Sequence, residues 1–113
     1  KDISKDNIKI FKVPGAFEIP GLTNSLIHKN VYNAIITLGC VIRGETDHYQ
    51  FICQAVSNGM MDITINSNIP ILFGVLTCQN KDLAFARSGN NNKNKGYEVG
   101  LAAVEQIETM NSL

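Results

Sequence analysis

Residues 34–42 (AIITLGCVI) carry almost nothing but apolar side chains, and the pattern returns at 70–78 (PILFGVLTC). Apolar runs of this length without alternation predict strands covered on both faces, as in a parallel sheet. Between them, Tyr49, Ile52, Cys53, Val56, Met60 and Ile63 recur at helical spacing. Either Thr46 or Asp47 suits the cap of that helix, which would run for about four turns. Upstream, IKIFKV (8–13) predicts a short first strand that breaks at Pro14-Gly15. Pro20 then suits a first helical turn, with Ile19, Leu22, Leu26 and Ile27 on one face up to about Lys29. Downstream, a short helix is expected from Asn80 to Ser88. A final one runs from Gly96 to about Met110, with Tyr97, Leu101, Val104 and Ile107 along one side.

The resulting order is strand, helix, strand, helix, strand, helix, helix. Such alternation predicts right-handed crossovers and a parallel sheet with helices on both faces. The 113 residues suit one domain, 1–113. Ligands of open α/β sheets bind beyond the carboxyl ends of the strands. The polar clusters fall there: GAFE after the first strand, RGETDH after the second, and Thr77 at the tip of the third.

Composition narrows the function classes. The chain is 44% hydrophobic and 18% charged with a formal net charge of zero, which gives no reason to expect nucleic acid as a partner. It has no apolar run of roughly 20 residues to span a bilayer and no signal-peptide pattern at its start, so a cytoplasmic setting is expected. Cys40, Cys53 and Cys78 are odd in number and far apart in sequence. A disulfide framework and a CxxC site are therefore disfavoured, and each is expected to be a small buried hydrophobe. Eight of the basic residues are Lys, and only Arg43 and Arg87 are Arg. A planar guanidinium grips oxyanions in a way an ammonium does not, so both arginines invite a functional role.

RGETDH occupies a strand-to-helix turn, where the free amides of the first helical turn favour an anion such as phosphate. Thr46 would add a hydroxyl, whereas Glu45 and Asp47 would repel a phosphate unless they face away. A capped helix with solvated acids explains the same residues without a ligand. His48 sits in that first turn, and imidazoles, which titrate near pH 6.5 when unperturbed, suit proton transfer at neutral pH. His28, beside Lys29, is assigned to solvent or to a helix end. Two histidines without Cys or acid partners at ligand spacing disfavour a metal site. There is no GxSxG elbow, Cys53 does not share a helical face with His48, and GNNNKNKG (89–96) lacks the GK[ST] ending of a P-loop.

VPGAFEIP (13–20), LGCVIRGETDHY (38–49), ILFGVLT (71–77), AFARSG (84–89) and NKG (94–96) together resemble the successive motifs of the lumazine synthase family. The likeness covers nearly the whole chain from about Ile8. It implies an α/β fold, a three-layer α/β/α flavodoxin-like parallel sheet, and a transferase of riboflavin biosynthesis with no cofactor. The implied reaction joins 5-amino-6-ribitylaminouracil to 3,4-dihydroxy-2-butanone 4-phosphate and releases phosphate and water. The attacking amine belongs to the substrate, which fits a chain lacking a nucleophile of its own. The resemblance also implies a homopentamer or an icosahedral shell, with riboflavin synthase as the candidate protein partner.

Carried over by position, Ala16, Phe17 and Glu18 would hold the pyrimidine and ribityl chain. Cys40, Val41 and Ile42 would offer main-chain groups to the heterocycle. Glu45 and Thr46 would meet the phosphate, and His48 would carry protons. Phe73 would line a neighbouring subunit's pocket, Arg87 would bind phosphate, and Lys95 would lie near the ribityl group. Arg43 would orient its turn or pair with an acid at a subunit interface.

Two departures stand out. The loop at 88–96 is less rich in Gly than the family pattern and has Asn91 where a Lys is usual. The family sheet has four strands, and its first strand and helix, with an aromatic residue that stacks on the pyrimidine, have no counterpart in these residues. The chain is therefore expected to be an incomplete portion of the domain. Competing readings are a noncatalytic shell or flavin-binding protein built on the same surfaces, and a monomeric flavodoxin-like FMN-binding domain.

Overall fold

In the computed structural model, residues 3–44, 48–89 and 93–113 are described. Each apolar run becomes a strand: β1 is Ile35–Ile42 and β2 is Ile71–Cys78. They pair in parallel, Ile35 opposite Ile71 and Ile42 opposite Cys78. The crossover between them is α2, His48–Ile65, the longest helix. Before β1 comes α1, Ile19–Ile27, with Pro20 in its first turn, where a missing amide costs nothing. After β2 come α3, Lys81–Ser88, and α4, Lys95–Asn111. Asn80 and Asn94 cap these two helices by accepting hydrogen bonds from the amides of Leu83 and Tyr97 at 2.9 and 2.8 Å.

The two faces of the sheet are covered by different helices. On one, Ile19 of α1 and Val56 and Met60 of α2 pack with Ile71 and Val75, joined by the half-buried Ile35, Val41 and Phe73. Val56 is 1% exposed and marks the centre of this core. On the other, α3 and α4 lie against β2, with Val99 facing Gly74. Gly74 allows the strands and α4 to approach closely. A Cβ there would fall 2.6 Å from the carbonyl oxygen of Thr37 and 3.1 Å from Val99 Cγ2. Buried Thr37 satisfies its hydroxyl by donating to the Leu72 carbonyl at 3.1 Å, and buried Thr23 donates to Ile19 at 2.8 Å.

The first expected strand does not form. Residues 8–12 are exposed and Val13 half-buried, outside any strand, and the described sheet contains only β1 and β2. Alternating apolar residues specify a strand only where a neighbouring strand shares their main-chain hydrogen bonds, and no described strand pairs with 8–13. Phe11 packs edge-on against Tyr32 at 6.3 Å instead, with the Lys9 ammonium 5.3 Å from its ring. The radius of gyration, 14.6 Å, exceeds the roughly 13 Å expected of a chain this long.

A second correction concerns the thiols. Cys78 is buried and Cys53 half-buried, but Cys40 is exposed. Its side chain lies on the face of β1 that carries Ile36, Leu38 and Ile42, which are 43, 60 and 38% exposed. The helices over that face lie mainly on β2.

Candidate active site

The carboxyl ends of β1 and β2 close side by side. Arg43, the residue after β1, donates its amide to the Cys78 carbonyl at 2.9 Å and its guanidinium Nη1 to Gln79 Oε1 at 3.2 Å. Both contacts tie the tip of one strand to the tip of the other. Cys40, Val41 and Ile42 end β1 beside Leu76, Thr77 and Cys78. Ala16, Phe17 and Glu18 form a one-turn 3-10 helix, not foreseen in the sequence, that leads into α1 and contacts β1 and α2. Phe17 is 57% exposed there.

His48 is the first residue of α2 and is exposed. Glu45 and Thr46, expected at the phosphate, lie outside the described residues, as does Asn91. Tyr49, the second residue of α2, is half-buried. Burial pushes its phenol pKa up and the neighbouring Cys53 thiol adds to this, while a hydrogen bond with Thr77 pulls the other way. Thus α2 touches the tip of β2 within a turn of His48. Phe73, in the middle of β2 opposite Thr37, packs half-buried against the core of its own chain.

Arg87 and Lys95 are brought together by a residue that the sequence reading overlooked. Arg87 donates from Nε to the Lys93 carbonyl at 2.7 Å and from Nη2 to Glu98 Oε2 at 3.1 Å. Lys95 Nζ donates to the other oxygen, Oε1, at 3.2 Å. Glu98 therefore holds a guanidinium and an ammonium on one carboxylate, joining the last turn of α3 to the first turn of α4. The signal was present in the i, i+3 spacing of Lys95 and Glu98. An acid in the first turn of a helix also satisfies the dipole, and that blander reading hid it.

The Lys95 ammonium, through its hydrogen bond and then its charge, holds the Glu98 carboxyl below the usual range, with Arg87 adding to the effect. A depressed carboxyl makes its contribution above its ordinary titration range and loses it as the pH falls through the lowered value. Carboxyl-detected NMR titration should therefore find Glu98 below an unperturbed Glu. In Lys95→Gln its value should return towards the ordinary one.

Over residues 1–111, the chain matches the 6,7-dimethyl-8-ribityllumazine synthase family. The chain belongs to that family. Lumazine synthases are transferases of riboflavin biosynthesis that act on small molecules and assemble as oligomers. The parallel strands with helices on both faces are the α/β, flavodoxin-like arrangement of the family, here with a sheet of two strands among the described residues. No helix among these residues is long and apolar enough to cross a membrane.

Proposed function

We propose that this chain condenses 5-amino-6-ribitylaminouracil with 3,4-dihydroxy-2-butanone 4-phosphate to give 6,7-dimethyl-8-ribityllumazine, phosphate and water. The observation that carries this reading is the convergence of Arg87 and Lys95 on one carboxylate. A guanidinium and an ammonium so placed are the group types that bind phosphate, and the planar guanidinium is the stronger and more directional of the two; a phosphate reaching them would compete with Glu98. The substrate amine attacks the ketone, the imine forms with loss of water, phosphate leaves, and the ring closes with loss of a second water. The protein orients the two molecules and moves protons.

In this reading His48 carries the protons, and Arg87, Glu45 and Thr46 hold the phosphate. Main-chain groups of Cys40, Val41 and Ile42 meet the heterocycle, while Ala16, Phe17, Glu18 and Lys95 hold the ribityl and pyrimidine end. Phe73 lines the pocket of an adjoining subunit. Phe51 and Ile65 on α2 and Phe85 on α3 are 70, 71 and 69% exposed, an apolar display that supports burial between subunits. The assembly is then a homopentamer or an icosahedral shell of pentamers, working in the cytoplasm and supplying riboflavin synthase.

The test is an absorbance assay for lumazine formation by the full-length protein with both substrates. Arg87→Ala should raise KM for the phosphate substrate roughly 10- to 100-fold, as loss of charge-assisted hydrogen bonds requires. KM for the pyrimidine should change little. Assembly without product would favour the noncatalytic shell, and a monomer that binds FMN would favour the flavodoxin-like alternative.

A further inference from the structure

The pairing register brings two cysteines from distant parts of the chain into one place. Cys40 faces Leu76, and Cys78 faces Ile42 two positions on. Residues two apart on a strand share a face, so both thiols project from the same side of the sheet. Cys40 is exposed and Cys78 buried, giving the pair one arm open to solvent and one anchored. Partial desolvation of the Cys40 thiol, and then its neighbour Cys78, raise the Cys40 pKa above the ordinary thiol value.

We propose that Cys40 and Cys78 together form a two-thiolate site for a soft, two-coordinate metal ion of the Cu(I) class. Thiolates select such ions over harder ones. Among the described residues no group of three His, Cys, Asp or Glu side chains could hold a metal, and a two-coordinate ion needs only the pair. Geometry separates this site from a simple disulfide. A diagonal step across paired strands, two residues along and one strand over, places the Cα atoms about 8 Å apart. That exceeds the roughly 7 Å limit for an S–S bond without backbone movement. Two metal–sulfur bonds of about 2.3 Å span about 4.6 Å and bridge the same pair without it. Binding replaces two S–H protons by two S–metal bonds, releases both protons to solvent, and changes no oxidation state. The inference needs only the strand register and stands whether or not the chain turns over substrate.

The experiment titrates the reduced full chain anaerobically with Cu(I) in competition with a chromophoric Cu(I) chelator such as bicinchoninate. One Cu(I) per chain is expected, and Cys40→Ser and Cys78→Ser should each weaken binding by about tenfold or more. Cys53→Ser should bind as the wild type does. Because Cys40 is exposed, its variant tests the site even if the buried Cys78→Ser fails to fold. Binding undiminished in Cys40→Ser, or lost equally in Cys53→Ser, would overturn the proposal. Two sulfur scatterers at the metal by X-ray absorption would support it, and three would not.

Discussion

His48→Ala is expected to lower kcat for lumazine formation by about 100- to 10,000-fold, the usual worth of a positioned proton carrier. KM for either substrate should move far less. The reason is chemical: the substrate supplies the nucleophile, and the steps left to the protein are proton transfers during imine formation and phosphate loss. His48 is the first residue of α2, next to Tyr49 with its contact to Thr77. As an exposed first residue of a helix, it can be replaced with little cost to folding. Far-UV circular dichroism and the oligomeric state should therefore be unchanged. Turnover within threefold of the wild type would remove His48 from the mechanism and leave orientation as the protein's main contribution.

Gly74→Ala should produce the largest loss of stability. The added methyl would meet the Thr37 carbonyl oxygen at 2.6 Å, Leu38 Cδ2 at 2.8 Å and Val99 Cγ2 at 3.1 Å. The side chains can turn aside. The carbonyl cannot, because it belongs to the backbone of the paired strand. Forcing β1 or α4 outward costs about 3 kcal/mol, which lowers Tm by roughly 10–15 °C in a domain of this size. Gly100→Ala on α4 is the contrasting variant, since a Cβ there meets nothing within 4 Å. It should be neutral or stabilise the helix by about 0.5–1 kcal/mol. Thermal denaturation of both variants separates steric cost from the general effect of replacing glycine.

The strands of the sheet were legible to within a residue, because 34–42 and 70–78 are uninterrupted apolar runs of strand length. α2 was legible for a similar reason: Val56 and Met60, its two buried residues, lie four apart on the face that the periodicity picks out. The segment 8–13 misled because alternation records which side chains could be buried, whereas a strand also needs a neighbour's main chain. Cys40 misled in a related way. Its run looks buried on both sides, yet α3 and α4 cover β2 and leave the matching face of β1 open. Arg87 could be found from the scarcity of arginine. Glu98 could not be separated from an ordinary helix-start acid until its two cations were seen on opposite oxygens of one carboxylate.

Ile35 and its partner Ile71 are 36 positions apart, 71 less 35, with the whole of α2 between them. Closing a loop of that length costs about 3 kcal/mol in chain entropy before a single rung of the ladder forms. Helical turns need no such closure. The strand tips thus belong to the slowest and most collective part of the molecule, and the proposed chemistry there would end when the ladder parts, even while the helices persist.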